Sequence, residues 1–395
     1  MVSLNIGDIV AINKDPNNIS TVVDVIMGET ERALYKVDKK GYFYPEDLQP
    51  LSGMGNDKEQ NTEGQKSVMV IGGAGYVGSV LVKTLLQEGY QVICVDNLRW
   101  GGEALANIWG DLNFSFIKAD ITDFDQIDPI IQSAKCFAVV HLAAIVGDPA
   151  CKLEPELARK TNLDASVHIL EKAISSGISR FIFASTCSNY GKMSDSSGYV
   201  DESSPLSPVS LYAELKVEFE DILLNQIEKT ETFSPTALRF ATVFGISPRM
   251  RFDLTVNEFA KELALGRELT VFGEQFWRPY CHVSDFARAM LLVLRAPKDK
   301  VAYNVFNVGE TSQNYTKKMI VDELLKQIPE GQVQYVHKNE DPRDYRVRFD
   351  KVSTELGFRI SRTVPDGIKE ILAAIKFGVI KNPDDQRYYN IPVNK

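Results

Sequence analysis

Residues Val68–Gly78 read Val-Met-Val-Ile-Gly-Gly-Ala-Gly-Tyr-Val-Gly, an apolar run followed by a glycine-rich turn with glycines three residues apart at 72, 75 and 78. The next residues carry apolar side chains at helical spacing and end at Gly89, and a second apolar run then leads to Asp96. This order of strand, glycine turn, helix, strand and acid is typical of a dinucleotide site. Glycines let the backbone approach a pyrophosphate at the helix N-terminus, and the acid accepts hydrogen bonds from the adenosine ribose.

The composition is that of an ordinary globular protein, with 44% hydrophobic and 25% charged residues in a chain of 395. A net charge of −9 argues against a general nucleic-acid-binding surface. The five cysteines form no Cys-x-x-Cys pair, which favours reduced, buried thiols. Neither a signal-peptide pattern nor an apolar run of roughly 20 residues is present. We therefore expect a cytoplasmic protein without nucleic-acid or membrane partners.

The first part of the chain differs from the dinucleotide unit. Residues 1–51 contain four or five short β-branched or aromatic runs separated by turn-forming residues, which predicts a small all-β barrel similar to SH3-type modules. Residues 52–66 are polar and without periodicity, which predicts a linker. We favour a packing or oligomerisation role for the β module over a ligand-binding role, and the sequence leaves both open.

The remainder of the chain alternates between strand and helix patterns. In residues 67–245 this alternation predicts parallel strands joined by crossover helices, that is, a Rossmann-type doubly wound sheet that contains the dinucleotide site. In residues 246–395 the alternation thins, and we expect mainly a smaller substrate-binding lobe at the carboxyl ends of the strands. The predicted fold class is therefore α/β, with this lobe at the C-terminal side and the β module at the N-terminal side.

Tyr212 and Lys216 are the most informative polar pair. Four residues apart in a predicted helix, they project from one face on adjacent turns. A tyrosine with a pKa near 10 is a poor base at neutral pH, and a neighbouring ammonium favours the phenolate. The alternative is a surface pair that shares a helix face by chance. The hydroxyls of Ser185, Thr186 and Ser188 end a predicted strand nearby in the chain, where a turn rich in small polar residues is the alternative interpretation.

In combination these motifs resemble the extended short-chain dehydrogenases/reductases, in particular the nucleotide-sugar epimerases and dehydratases of the UDP-glucose 4-epimerase type. The resemblance runs from Val68 to about Ile380, although Ile71 stands where a threonine is usual. It implies NAD as the cofactor and assigns catalytic roles to Thr186, Tyr212 and Lys216. The cofactor-binding residues that it implies are Gly72, Gly75, Tyr76, Val77, Gly78, Asp96, Asn97, Asp120, Ile121, Leu142, Ala143, Ala144, Asn162, Tyr212 and Lys216.

The same resemblance implies a nucleoside-diphosphate sugar as the substrate, with Thr186 in contact with it. Arg278 and Arg343 match arginines that contact the diphosphate, because a guanidinium meets two phosphate oxygens at once; an exposed ion pair is the alternative for each. Thr242 stands where the family often has an asparagine that touches the diphosphate. Arg249 and Arg251, a few residues later, are the candidates to replace that contact.

One departure from the family pattern narrows the reaction. Dehydratases of this branch follow the catalytic threonine with Asp-Glu, whereas Thr186 is followed by Cys187 and Ser188. We therefore predict an epimerase that oxidises the sugar transiently at C4 to a 4-keto intermediate. An NAD(P)H-dependent reductase of a 4-keto sugar and a non-catalytic dinucleotide sensor are the alternatives. The resemblance also implies a homodimer formed through helices at about 156–176 and 210–228.

The histidines and one cysteine are further candidates for chemistry. The four histidines have no spacing that makes a metal site, so we interpret them as structural and predict no metal. Cys151 lies in a loop where epimerising relatives sometimes place an acid or base, but a packed thiol is the favoured interpretation. The histidines are His141, His168, His282 and His337.

Overall fold

The computed structural model describes residues 66–193, 198–338 and 343–391, together with the backbone of five strands within residues 9–50. The chain divides into two units, Met1–Gly64 and Gln65–Lys395. Of the predicted linker, only Lys66 belongs to the described residues.

The first unit holds an antiparallel sheet in the order β4-β3-β2-β1-β5. These strands coincide with short β-branched or aromatic runs of the sequence. Within the described strands, β4 and β5 lie on opposite edges of this sheet, so the closed SH3-like barrel stays a prediction. The strands are β1 (Ile9–Ile12), β2 (Ile19–Met27), β3 (Ala33–Val37), β4 (Gly41–Phe43) and β5 (Leu48–Pro50).

The second unit alternates strands and helices from its first residues. Its strands are β6 (Ser67–Ile71), β7 (Gln91–Asp96), β8 (Phe114–Lys118), β9 (Ala138–His141), β10 (Arg180–Thr186), β11 (Ser234–Phe240), β12 (Thr242–Phe244), β13 (Leu269–Phe272), β14 (Trp277–His282), β15 (Asn304–Val308), β16 (Asn314–Thr316) and β17 (Val333–Val336). Its helices are α1 (Tyr76–Gln87), α2 (Phe124–Ser133), α3 (Asp148–Leu153), α4 (Pro155–Arg159), α5 (Ala165–Ser175), α6 (Leu211–Asp221), α7 (Thr255–Ala264), α8 (Val283–Arg295), α9 (Lys298–Val301), α10 (Lys317–Gln327), α11 (Asp350–Leu356) and α12 (Val364–Lys376).

A seven-stranded sheet in the order β15-β11-β10-β9-β6-β7-β8 forms the centre of this unit, and every pair in it is parallel. This confirms the Rossmann-like α/β fold. The strand order reverses between β6 and β9, so a crevice opens at the carboxyl ends of these two strands. The glycine turn after β6 and the loop after β9 therefore border the same crevice.

Strand β6 shows how the sheet is buried on both faces. Val68 and Val70 pack into the core on the side of α1 and α8, while Met69 and Ile71 pack into the core on the side of α2 and α5. Successive side chains of a strand point to opposite faces, so an unbroken apolar run fits a sheet covered by helices on both sides. All four side chains are fully buried.

The smaller lobe has its own apolar core around α7, α10 and α12, with short sheets in the orders β12-β14-β16 and β13-β17. Strand β15 does not belong to this lobe. It lies beyond residue 245 but pairs with β11, because Phe306 and Val308 are fully buried in the main core. The predicted lobe segment, residues 246–395, thus supplies one strand of the main sheet. Each helix in the described residues is too short or too polar to cross a membrane.

Candidate active site

The glycine turn has no room for a side chain at Gly72 or Gly78. A Cβ on Gly78 would lie 2.1 Å from the carbonyl oxygen of Gly72. Gly72 itself has φ +88°, and a Cβ there would lie 2.6 Å from the backbone nitrogen of Ala143. The first turn of α1, which begins at Tyr76 and Val77, has no side-chain cap and no acidic residue among the described groups. Its N-terminal N–H groups and the positive end of the helix dipole therefore suit an anion.

Asp96 is fixed by two backbone groups. Its carboxylate accepts hydrogen bonds from Ala74 N at 3.0 Å and from Leu98 N at 2.8 Å, which ties the glycine turn to the end of β7. Burial raises the pKa of Asp96, and these two bonds oppose the rise. Beside it, the Asn97 amide donates to the Asp120 carboxylate at 3.0 Å. The structure thus brings together the acid and the two polar residues predicted for the adenosine end.

The loop after β9 is attached to the glycine turn on its other side. Leu142 N and Ala143 N both donate to Ile71 O at 2.9 Å. Asn162 holds the continuation of this loop: its amide accepts from Ile145 N at 2.8 Å and donates to Ile145 O at 2.9 Å. Asn162 lies in a π-helical turn between α4 and α5, a distortion frequent at functional sites.

Helix α6 and strand β10 bring the three predicted catalytic residues together. The Lys216 Nζ donates to Ala184 O at 2.8 Å, and Thr186 ends the same strand two residues later. The Lys216 Nζ lies 5.9 Å from the centre of the Tyr212 ring. The Ser210 hydroxyl caps α6 by accepting from Ala213 N. Lys216 therefore links the face of α6 that carries Tyr212 to the end of β10 that carries Thr186.

The electrostatics of this trio differ from the sequence-based expectation. Burial raises the pKa of the Tyr212 phenol, Cys151 and Asp148 add to the rise, and the charge of Arg251 opposes it. Burial also lowers the pKa of Lys216 to about 7. Burial is the largest influence on both pKa values, and for Tyr212 the resulting shift is opposite to the lowering that a neighbouring ammonium was expected to cause.

A buried polar network behind Thr186 was not anticipated. Glu220, one turn after Lys216, accepts a hydrogen bond from the Ser185 hydroxyl at 2.6 Å and forms an ion pair with Arg239. Arg239 also donates to the Tyr190 hydroxyl at 3.0 Å. This network joins α6, β10 and β11, so the helix that carries Tyr212 is held against the strand that carries Thr186.

The predicted substrate residues Arg278 and Arg343 contact neighbours of the catalytic segments, whereas Thr242 lies in strand β12. The Arg278 guanidinium stacks 5.2 Å from the centre of the Tyr345 ring, and the Tyr345 hydroxyl lies 3.4 Å from that of Ser188. Arg343 pairs with Asp148 at 2.8 Å. Thr242 lies opposite Tyr280 in the β12–β14 pairing.

Arg249 and Arg251 belong to the loop that follows β12. Arg251 makes a two-pronged contact with Asp253, at 2.9 and 2.8 Å. Arg249 lies two residues earlier with its guanidinium 5.1 Å from the centre of the Trp100 ring. The two neighbouring arginines therefore have different surroundings.

Asp148 and Tyr345 are site residues that the sequence interpretation missed. Asp148 accepts hydrogen bonds from both Ser210 and Arg343, and it contributes with Tyr345 to the electrostatic environment of Tyr212. Tyr345 follows the predicted Arg343 by two residues, which was a usable signal. Asp148 offered none, because its partners lie 62 and 195 residues away in the chain.

The segment Asp384–Asn390, which we call the C-terminal strap, lies across the smaller lobe. Lys261 on α7 donates to the Tyr389 hydroxyl at 2.7 Å. Phe252 N donates to Tyr388 O at 2.9 Å, and Asn390 N donates to Asp253 at 3.2 Å. The strap therefore supports the carboxylate that holds Arg251.

Cys151 and three of the four histidines make structural contacts, whereas His337 is exposed. The Cys151 thiol is buried and donates to Ile145 O at 3.4 Å, and burial raises its pKa to about 11, which favours a packed thiol. His141 bonds to Ser166, His168 to Asp128 and His282 to Glu370. Within the described part of the chain, no group of three or more His, Cys, Asp or Glu side chains is placed to hold a metal ion.

Comparison with known proteins gives a consistent result. A family model described as NAD dependent epimerase/dehydratase family matches residues 68–309. A dTDP-glucose 4,6-dehydratase from Streptomyces niveus is 28% identical over 341 residues, which are 80% of this chain and 96% of that protein. A UDP-glucose 4-epimerase from Bacillus subtilis (strain 168) is 25% identical over 329 residues, 78% of this chain and 95% of the other. The solved structure of a UDP-glucose 4-epimerase from Thermotoga maritima with UDP-glucose has a TM-score of 0.67 and 28% identity, covering 79% of this chain and 99% of that one.

Proposed function

The chain belongs to the NAD dependent epimerase/dehydratase family, and from this premise we propose that it is an NAD-dependent epimerase of a nucleoside-diphosphate sugar. The epimerised centre is C4, and the reaction proceeds through a 4-keto sugar. The observation that supports this proposal is the hydrogen bond from the Lys216 Nζ to Ala184 O, because it attaches the helix that carries Tyr212 to the strand that ends at Thr186.

The glycine turn fits NAD on chemical grounds. Gly72 and Gly78 hold the turn tightly against α1, whose uncapped N-terminus offers N–H groups to a pyrophosphate. Asp96 is placed at the end of β7 for the adenosine ribose, with Asn97 and Asp120 beside it. When bound, NAD supplies a hydride acceptor for the sugar C4, and the protein supplies orientation and proton transfer.

In the proposed mechanism, Tyr212 acts as a phenolate whose oxygen accepts the proton of the C4 hydroxyl, with the Thr186 hydroxyl as a hydrogen-bonded bridge. Burial disfavours this charged form, and the charge of Arg251 opposes that effect. A protonated Lys216 acts in the same direction as Arg251. Tyr212 returns the proton when the keto sugar is reduced on its opposite face. Arg278 and Arg343 bind the substrate diphosphate at the other side of the opening.

The side chains next to Thr186 support epimerisation over loss of water. Elimination across C5–C6 needs a strong acid and base there. Cys187 instead donates its thiol to Arg239 O at 3.2 Å, and burial raises its pKa. Ser188 offers a hydroxyl directed toward that of Tyr345. Neither side chain is a ready proton donor or acceptor at neutral pH.

The test is to incubate the purified protein with UDP- and dTDP-linked hexoses and to identify products by NMR and mass spectrometry. An epimer of unchanged mass, with no net change in absorbance at 340 nm, is the expected result. Stoichiometric consumption of NADPH with a 4-keto sugar would replace the proposal with a reductase, and a product lighter by one water would replace it with a dehydratase. NAD binding without turnover of any sugar, unaffected by Tyr212→Phe, would favour a sensor.

We also propose that the protein is a homodimer formed through α5 and α6, and that the five N-terminal strands close into a barrel. Light scattering of the purified chain tests the first proposal, and a mass near 44.2 kDa, that of one chain, would contradict it. An experimental structure of the N-terminal unit with unpaired outer strands would contradict the second.

A further inference from the structure

The loop between β12 and α7 is fixed directly on the N-terminus of α1. The Ser247 hydroxyl donates to Tyr76 O at 2.6 Å and lies 3.1 Å from the Ser79 hydroxyl. The Tyr76 hydroxyl donates to Gly245 O, and Asn257 accepts from Gly245 N at 2.9 Å. The loop therefore has little freedom to move away from the helix end that suits an anion.

Within this rigid loop, Arg249 carries a buried guanidinium whose Nε and Nη2 have no hydrogen-bond partner among the described residues. The residue is only 6% exposed. The one carboxylate of the loop, that of Asp253, already receives Arg251 through both of its oxygens. Burial and the charge of Arg251 lower the pKa of Arg249 to about 10. A buried cation in this state is costly unless an anion joins it.

The two unpartnered nitrogens define the kind of anion. Nε and Nη2 lie on the same edge of a guanidinium and present two parallel N–H groups, which match two oxygens of one anionic group. This edge of Arg249 is thus shaped for a phosphate-like or carboxylate anion.

The neighbours of Arg249 indicate which anion this is. Its guanidinium lies over Trp100, which follows Asp96 by four residues and lines a cavity of about 580 Å³. Two residues before Arg249, Ser247 rests on the first turn of α1. Arg249 therefore lies between two parts of the predicted cofactor site. One is the loop after Asp96, which contains Trp100, and the other is the N-terminal end of α1.

We propose that the Nε–Nη2 edge of Arg249 binds the pyrophosphate of the dinucleotide, from the side opposite α1. This inference rests on the proposed function and adds to it a contact from the smaller lobe to the cofactor. Arg278 and Arg343, which face Tyr345 and Asp148, remain assigned to the diphosphate of the substrate. Such a contact keeps NAD on the protein between turnovers, as an epimerase requires.

The experiment compares Arg249→Met and Arg249→Lys with the wild type, using protein freed of nucleotide. Calorimetric titrations measure the Kd values of NAD, ADP-ribose and UDP, and stopped-flow dilution measures NAD release. Arg295→Met is the matched control, because Arg295, at the end of α8, forms an exposed ion pair with Glu88 and its replacement also removes one positive charge. Thermal melting of each free variant reports folding.

We expect Arg249→Met to weaken NAD and ADP-ribose by about 10- to 100-fold, the usual loss for hydrogen bonds to charged groups, and to leave UDP unchanged. Arg249→Lys retains the charge but not the two-pronged contact, so an intermediate loss is expected. The free Arg249→Met protein should melt no lower than the wild type, because an unpaired buried charge has been removed. That opposite sign separates a binding role from a structural one.

Unchanged NAD affinity in both variants would overturn the inference while leaving the proposed function intact. Weakened UDP with unchanged NAD would overturn it as well and would move Arg249 to the substrate diphosphate. If the wild type itself bound neither NAD nor ADP-ribose, the proposed function would fail first, and the two failures are thus distinguishable. Should Arg249→Met not fold, Arg249→Lys decides the matter.

Discussion

Arg239 and Arg249 are buried to the same degree, 5% and 6% exposed, yet their surroundings are opposite. Arg239 meets the carboxylate of Glu220 and the Tyr190 hydroxyl, and Glu220 and Tyr190 outweigh burial to raise its pKa. Arg249 has two nitrogens without a partner among the described residues, and its pKa is lowered. Two equally buried arginines can therefore have different roles. Arg239 is paired and holds α6 against β10 and β11, whereas Arg249 is the residue that we propose to bind a ligand.

The largest effect should come from the chemistry that the Arg239 network supports. Tyr212→Phe removes the proposed proton acceptor and should lower kcat by about 10²- to 10⁴-fold, with NAD affinity and melting temperature nearly unchanged. Turnover of the best sugar substrate, followed by NMR, measures this. A variant that retains more than a tenth of the wild-type rate would show that α6 does not carry the chemistry.

The difference between Arg239 and Arg249 can be measured directly as the stability of their variants. Arg239→Met leaves the buried Glu220 carboxylate without its ion-pair partner and should lower the free energy of unfolding by about 3–5 kcal/mol in urea titrations. Arg249→Met should cost nothing in the free protein. The double variant Glu220→Met, Arg239→Met should be less destabilised than the sum of the single variants, because no charge remains unpaired. Equal losses of unfolding free energy at positions 239 and 249 would show that the two arginines do not differ in pairing.

Lys216 is a third buried cation, and it resembles Arg249 more than Arg239. Burial depresses its pKa from 10.5 to about 7. Between these values the unfolded chain binds more protons than the folded one, so this residue makes stability rise with pH from about 7 to 10.5.

The measurement is the difference in unfolding free energy between the wild type and Lys216→Met across pH 6 to 10. At pH 6 the wild type should be the less stable protein, by an amount on the order of a few kcal/mol that shrinks as the pH rises. A difference that is independent of pH would mean that Lys216 is paired as well as Arg239 is.

The smallest predicted effect concerns the helix end on which Arg249 depends. Gly78→Ala places a methyl group against Gly72 O and should cost about 1–3 kcal/mol of stability and weaken NAD. Gly110→Ala, where no described atom lies within 4 Å of the new Cβ, is the control and should change neither quantity. If Gly78→Ala bound NAD as tightly as the wild type, the pyrophosphate would not bind at this turn. The ligand proposed for Arg249 would then be wrong as well.

The features that could be predicted from the sequence are those encoded over short spans. The glycine turn, Asp96 and the Tyr212–Lys216 pair each depend on spacing within one strand–turn–helix unit or one helical turn. The strands and helices followed from periodicity in the same way.

The missed features depend on distant contacts and on desolvation. Glu220 meets Arg239 from 19 residues away and Arg343 meets Asp148 from 195, and no local pattern records either pair. The sequence offered Arg249 and Arg251 as equals, and the position of Asp253 separates them. The direction of the Tyr212 pKa shift could not be predicted from the sequence, because its largest cause is burial, which is a property of the folded chain. Strand β15 was assigned to the smaller lobe because sequence order does not reveal which sheet a late strand joins.

The C-terminal strap has a practical consequence for handling this protein. The family model ends at residue 309, yet Tyr388, Tyr389 and Asn390 are attached to α7 and to the residues that flank it, Phe252 and Asp253. A shortened expression clone ending near residue 380 would retain every strand of the main sheet and could pass as folded. It would nevertheless lose the hydrogen bond that Asn390 N donates to Asp253, the carboxylate that holds Arg251. We therefore expect a truncated or bulkily tagged protein to bind ligands more weakly than the full chain.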